Sequence, residues 1–382
     1  MLLCIQIDTQ SIEVTMADDI TNLYICSTVR HVMLSVFHAV KSNKNSTIVL
    51  FNDYQSIPST LINTSNLPSN INIVLASRDE LTSAIKQKGL IGKFILKSSI
   101  LGFRIPDCLK RTLISYINAY EEKIFLDLVS YELFVFNDDN KMSRLFRLLV
   151  PNYKMIEDGM RNYIEIPIHS PIKKIFRKLK GYHSKTMIMG EKNECLEIHL
   201  LSPDKSPSQI HSKVQKLNIS QSTYATDLLS KIFQVDSYTH EKRTIILATQ
   251  PTSKENNLRF KDINFIKKVY QNIYKQAVNA GYNVVLKLHP SEPKDDYKKF
   301  FEGVEQLPPK LPVELFLMLS DKKIGIVSLF SSVGMGLEEY CDVFQILKQE
   351  EIAETIDTIV SFEKNPAELD LRIKQVLQKF EL

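Results

Sequence analysis

Along most of the chain the apolar residues follow one of two patterns. Short β-branched runs stand at residues 23–26, 46–51, 71–76, 124–128, 133–136, 245–248, 284–288 and 324–330. Runs of this length without polar alternation predict buried parallel strands. Between several of them the spacing changes to three and four residues. Ile263, Ile266, Tyr270, Ile273, Tyr274 and Ala277 fall on one face of a predicted helix, with Lys267, Lys268, Gln271 and Lys275 on the other. Gly281 supplies its left-handed stop. Strand, amphipathic helix, strand is a βαβ unit, and its repetition predicts an α/β protein with parallel sheets.

Ligands of such sheets bind outside the carboxyl ends of the strands. The run at 245–248 gives way there to Thr249-Gln250-Pro251, and the run at 284–288 to His289-Pro290-Ser291-Glu292. Gln250, His289 and Pro290 are therefore candidates for a cleft, the alternative being a turn with a solvated imidazole. Lys287, two residues before His289, shares its strand face and suits an anionic ligand, or else snorkels from an edge. After the first strand, Ser27 and Thr28 lead into a helix containing Val29, Met33, Val36, Phe37 and Val40, which they cap or open to a ligand.

Further motifs punctuate the chain. A strand near residues 153–156 runs into Glu157-Asp158-Gly159, where the glycine permits a sharp turn and leaves two adjacent carboxylates exposed. Neighbouring like charges raise one pKa, which suits a group that takes up a proton near neutrality. Asn137-Asp138-Asp139-Asn140 reads as a helix cap or as a divalent-cation site. Pro312-Val313-Glu314 starts a helix. Ser331-Ser332-Val333-Gly334-Met335-Gly336 follows a strand and reads as a phosphate cradle at a strand-to-helix turn, without the lysine or spacing of a P-loop. Residues 171–180, PIKKIFRKLK, place Ile172, Ile175, Phe176 and Leu179 on one face among Lys173, Lys174, Arg177, Lys178 and Lys180. Such a segment lies on an anionic bilayer or polyanion, or packs inward as a surface helix.

Length and composition narrow the reading. The 382 residues suit two domains, 1–235 and 236–382, divided at the polar stretch 237–243, with the last helix packing back on the first domain. A content of 44% hydrophobic and 24% charged residues excludes a disordered chain. The 48 basic against 44 acidic residues give a formal charge of +4, which requires no nucleic acid. Cys4, Cys26, Cys108, Cys195 and Cys341 show no metal-ligand spacing and suit a reduced, cytoplasmic compartment. No apolar run reaches the roughly 18 residues of a membrane span.

Glu157-Asp158-Gly159, His289-Pro290 and Ser331-Ser332, in this order, resemble the shared motifs of the bacterial sialyltransferases, among them the lipooligosaccharide and capsular polysialyltransferase families. The resemblance covers most of the second half and the end of the first. It implies a glycosyltransferase B fold, two Rossmann-like domains facing across a cleft, with the donor CMP-sialic acid held mainly by the C-terminal one. It further implies inversion at the anomeric carbon without metal or cofactor, and a cell-surface glycan as acceptor. On this reading Asp158 takes the acceptor's proton, with Glu157 or Glu255 as substitute. His289, as imidazolium or neutral donor, acts on the leaving phosphate together with Ser331 and Ser332. Lys287, Pro290 and Gln250 line the donor site, and Glu314 meets the cytidine ribose. The rival readings are a transferase of polyol phosphate or another sugar, and a non-catalytic polyanion or membrane-surface binder.

Overall fold

The computed structural model describes residues 21–124, 126, 131–179, 181–219, 222–239, 243–250, 259–292, 295–331, 333–348, 351 and 355–380. In the N-terminal half, β1 (Thr21–Cys26), β2 (Ser46–Phe51), β3 (Ile71–Ala76), β4 (Tyr131–Val135), β5 (Tyr153–Ile156), β8 (Cys195–Leu200) and β9 (Val214–Lys216) form one parallel sheet. Its order is β3-β2-β1-β4-β5-β8-β9. The chain winds outward in one direction from β1 and then in the other from β4, so the gap between these two strands is the switch point where such sheets bind ligands. A two-residue antiparallel hairpin, β6 (Ile166–Pro167) with β7 (Thr186–Met187), stands apart.

The C-terminal half holds β10 (Thr244–Ala248), β11 (Asn283–Lys287), β12 (Ile324–Ser328) and β13 (Cys341–Gln345), parallel in the order β11-β10-β12-β13. Every residue of β10 and β12 is buried, which is why neither run alternates with polar residues. The expected strand at 124–128 falls largely outside the described residues.

Helices cover both sheets. They are α1 (Val29–Ser42), α2 (Arg78–Gln87), α3 (Gly89–Leu101), α4 (Asp107–Tyr120), α5 (Lys141–Arg147), α6 (Pro171–Leu179) and α7 (Thr223–Phe233), then α8 (Phe265–Asn279), the short α9 (Asp295–Lys298), α10 (Val313–Met318), α11 (Thr355–Lys364) and α12 (Pro366–Gln378). The predicted βαβ unit is β10-α8-β11, with Ile266, Tyr270, Ile273 and Ala277 buried. Helix α7 packs against both α1 and α10. One buried cluster accordingly runs from Val32 and Val36 through Leu228 and Ile232 to Leu315 and Leu317. Two parallel α/β units joined in this way form the glycosyltransferase B architecture expected from the sequence.

Two expectations are corrected. The last helix does not return to the N-terminal half: Leu369, Ile373, Val376 and Leu377 bury against Ile273, Phe362 and Leu286 of the C-terminal core. Beyond Ser331 the described residues form turns, not a helix, because Gly334 and Gly336 both take φ of +80°. A Cβ on Gly336 would stand 2.5 Å from Leu201 Cβ and 3.0 Å from its backbone carbon, so the turn seats itself on the N-terminal half through that glycine. Of the two readings of residues 171–180, helix α6 takes the outward one, with Ile172, Ile175 and Leu179 exposed.

Candidate active site

The site is built where β1 and β5 end. Thr28 caps α1 by accepting the His31 amide N–H at 3.1 Å, which places Arg30 and His31 in the helix's first turn. After β5 the chain reaches Glu157 and Asp158 and turns at Gly159, whose φ of +138° and ψ of −147° suit glycine alone. Asn162 fixes the turn, its Oδ1 accepting the N–H groups of Asp158 at 2.8 Å and Gly159 at 3.2 Å. Two consecutive residues of α1 thereby face two consecutive acids.

The acids are in different states. Glu157 is 0% exposed. Its Oε1 accepts from Arg30 Nη2 at 2.7 Å, and its Oε2 accepts from the Leu201 amide at 2.9 Å and from the Tyr163 hydroxyl. Arg30 Nε donates at 2.7 Å to Glu314 Oε1, so one guanidinium clamps β5 of one half to α10 of the other. Both carboxyl oxygens of Glu157 are thereby taken up by the fold. Asp158 keeps 20% of its side chain exposed.

His31 Nε2 lies 2.8 Å from Asp158 Oδ1. The Ser27 backbone N–H donates to His31 Nδ1 at 3.2 Å, so that nitrogen is an acceptor and the proton sits on Nε2, directed at the carboxylate. The ring stacks on Phe136, centroids 4.0 Å apart. Asn137 Nδ2 approaches Asp158 Oδ2 at 3.4 Å. Burial acts to raise the Asp158 pKa, but the hydrogen bond from His31, with the charges of Arg30 and Arg161, outweighs it and holds the carboxyl below its usual range. The raised pKa expected from two adjacent carboxylates does not arise at Asp158, because each acid has its own cation or donor. Burial also lowers the His31 pKa, against the pull of Asp158, so the ring is neutral at neutral pH.

Across the cleft, β11 stops at Lys287 and His289 stands in the following turn. Lys287 is buried, its Nζ donating to the carbonyls of Pro309 at 2.8 Å and Pro308 at 3.2 Å. It does not share an open strand face with His289. Burial pulls its pKa down to about 8, against the charge of Glu314. The His289 amide donates to Thr249 Oγ1 and to Glu292 Oε2, both at 3.1 Å. Its Nδ1 accepts the Ser291 N–H at 3.3 Å and faces the Ser291 hydroxyl at 2.8 Å, which leaves the proton on Nε2. Burial, then the charges of Lys287 and Lys310, lower the His289 pKa, so the neutral donor form is the one present at neutral pH. Lys310 Nζ donates to the Pro290 carbonyl at 3.1 Å and to the Gln55 carbonyl, tying the His-Pro turn to the first half.

Ser331 is buried at the end of β12. Its Oγ accepts the Val333 N–H at 3.2 Å, its N–H donates to Ser328 Oγ at 3.0 Å, and its carbonyl accepts from Gln345 Nε2 at 2.7 Å. Gln250 is half-buried just past β10. Ser332 and Glu255 lie outside the described residues. Asp138 is engaged by Tyr153 at 2.7 Å and Lys192 at 3.0 Å, and Asp139 by Lys192 and Arg144, while Asn140 caps α5. Among the described residues no group of three His, Cys, Asp or Glu side chains is placed to hold a metal. A cavity of about 830 Å³ adjoins the acidic turn, lined by Met160, Tyr163 and Ile166 on one side and Val343, Phe344 and Gln345 on the other.

The structure thus joins Glu157, Asp158 and Glu314 through Arg30 and His31, and gathers Lys287, His289 and Pro290 around Lys310. Arg30, His31, Glu292 and Lys310 were not singled out from the sequence. The available sign for the first two was their position, a cation and an imidazole in the first helical turn after the first strand, where a parallel sheet presents side chains to ligands.

Known proteins resemble the chain to different degrees. No curated protein sequence matches the chain. Among solved structures, an α/β-galactoside α-2,3-sialyltransferase from Photobacterium phosphoreum is 12% identical over 90% of this chain and 95% of its own, at a TM-score of 0.44. A sialyltransferase from Photobacterium damsela is 11% identical over 92% and 79%, at 0.45. The wall teichoic acid polymerase TagF is 10% identical over 94% and 82%, at 0.42. Likenesses this remote carry nothing about the reaction. The family model of glycosyltransferase family 52 matches residues 112–349, a span that holds Glu157-Asp158-Gly159, His289-Pro290 and Ser331-Ser332. The chain belongs to glycosyltransferase family 52, a family of bacterial sialyltransferases.

Proposed function

We propose that the protein is an inverting sialyltransferase that moves sialic acid from CMP-sialic acid to a hydroxyl of a cell-surface glycan, such as a lipooligosaccharide or capsular polysaccharide. The observation that carries this reading is the unequal state of the two acids. Glu157 is saturated and buried, whereas Asp158 is ionised, partly exposed and oriented by a neutral His31.

In the proposed reaction the acceptor oxygen attacks the anomeric carbon and its proton passes to Asp158. The bond from that carbon to the phosphate oxygen breaks on the opposite face, and CMP departs. A carboxylate held low in pKa is fully ionised at neutral pH and takes the proton as the new bond forms. His31 orients it and acts as a positioning residue. His289 Nε2–H donates to the leaving phosphate, with Ser331 and Ser332, and needs no imidazolium to do so. Lys287, Gln250 and Pro290 shape the donor side. Glu314 serves the ribose while it holds Arg30. No step calls for a metal ion.

The first 235 residues are assigned to the acceptor and the remainder to the donor. Among the described residues no helix is long and apolar enough to cross a membrane. Attachment to the inner face of an anionic membrane is assigned to α6, through exposed Ile172, Ile175 and Leu179 with Lys173, Lys174 and Lys178. Arg177 contributes less, because it is bonded to the carbonyls of His183 and Thr186 and to Glu191.

Nucleotide specificity tests the donor assignment. CMP is expected to raise the melting temperature, with UDP and GDP without effect. Protection by UDP or GDP in place of CMP contradicts it and favours another surface-polymer transferase.

A further inference from the structure

Helix α3 is built inside out. Its buried positions are Gly92, Ile95, Ser98 and Ser99, small or hydroxylic except for one isoleucine. A Cβ on Gly92 would stand 1.8 Å from the Ile85 carbonyl oxygen, so the helix is pressed onto the end of α2 along this narrow face. The large apolar side chains point the other way: Leu90 is 84% exposed, Phe94 55%, and Ile100 and Leu101 are exposed beside them. At 100° per residue these four, with Lys93 and Lys97, fall on one outward face. A helix that served only the monomer's core would be oriented in reverse.

Charge selects what covers this face. Residues 86–104 contain Lys86, Lys88, Lys93, Lys97 and Arg104 and no aspartate or glutamate. A two-fold contact with a second copy would set Lys93 and Lys97 against their own counterparts. Anionic lipid offers hydrocarbon to the leucine and phenylalanine and phosphate to the lysines at once. We infer that the outward face of α3 lies in the interface of an anionic lipid bilayer, as a second contact separate from α6 and independent of the reaction catalysed.

The chain contains no tryptophan, so Phe94→Trp gives a single fluorescent reporter at the centre of the face. Vesicles of phosphatidylglycerol and phosphatidylcholine are expected to shift its emission to the blue, and vesicles of phosphatidylcholine alone are not. Co-sedimentation with the mixed vesicles should weaken about 30-fold in Lys93→Gln/Lys97→Gln. It should weaken by at least about tenfold in Leu90→Ser/Phe94→Ser, with unchanged circular dichroism because these side chains are exposed. An unshifted reporter, with binding that disappears only in Ile172→Ser/Ile175→Ser of α6, overturns the inference. So does a dimer in solution that Leu90→Ser/Phe94→Ser dissociates.

Discussion

His31 Nε2 stands 2.8 Å from Asp158 Oδ1, while its Nδ1 accepts the Ser27 amide, so the ring has one proton and one direction in which to offer it. Because burial alone would raise the Asp158 pKa, this hydrogen bond keeps the carboxylate ionised. Replacing His31 with Phe is expected to move the acidic limb of the kcat/KM profile to higher pH. A purely structural His31 would lower the melting temperature and leave that limb in place. The linked stability has the same sign. The depressed Asp158 pKa stabilises the fold above the unfolded carboxylate's pKa, and this contribution is lost as pH falls through the folded one.

The two acids should separate by stability. Glu157→Ala leaves Arg30 short of one buried partner and exposes the Tyr163 and Leu201 donors to an empty space. A loss of about 3–5 kcal/mol in denaturant unfolding is expected. Asp158→Asn, at a partly exposed position and of equal size, should change stability by less than about 1 kcal/mol. Equal losses would mean that the acids share one structural role.

CMP affinity should report the other half of the cleft. The double change Ser331→Ala/Ser332→Ala is expected to weaken CMP binding by about 1–3 kcal/mol in calorimetry, the cost of phosphate oxygens short of donors. Asp158→Asn should bind CMP normally. Unchanged affinity in the double variant would reduce Ser331 to its observed role of holding the turn through Val333.

His289→Ala should abolish transfer and also slow hydrolysis of the donor in the absence of acceptor, whereas Asp158→Asn should spare that hydrolysis. Burial and the charges of Lys287 and Lys310 lower the His289 pKa, so any titration of this hydrolysis falls below the ordinary imidazole range, not near neutrality. EDTA should change neither rate. Equal loss of hydrolysis in both variants, or a need for Mg²⁺ or Mn²⁺, would reverse the assigned roles.

The parts of the fold that depend on near neighbours were legible in the chain. β10, α8 and β11 announce themselves because burial on two faces removes polar residues from a strand and leaves them on one side of a helix. Glu157-Asp158-Gly159 was legible for the same reason, since a glycine after a strand marks a turn. What the acids do was not, because their partners lie 127 residues away at Arg30 and His31, and Glu314 pairs across 284 residues. Lys287 was misread as open to the cleft because nothing local tells that the carbonyls of Pro308 and Pro309 enclose its ammonium. Ser331 was read as a helix start because glycine is silent about φ until the backbone is seen.

Product mass tests the central claim most directly. The purified protein is incubated with CMP-sialic acid and a panel of glycan acceptors, beside Asp158→Asn. The account predicts an acceptor heavier by one or more sialyl residues, formed about 10²–10⁴-fold more slowly by the variant. Transfer from a different nucleotide sugar, or an Asp158→Asn enzyme that forms product at the normal rate, would contradict it.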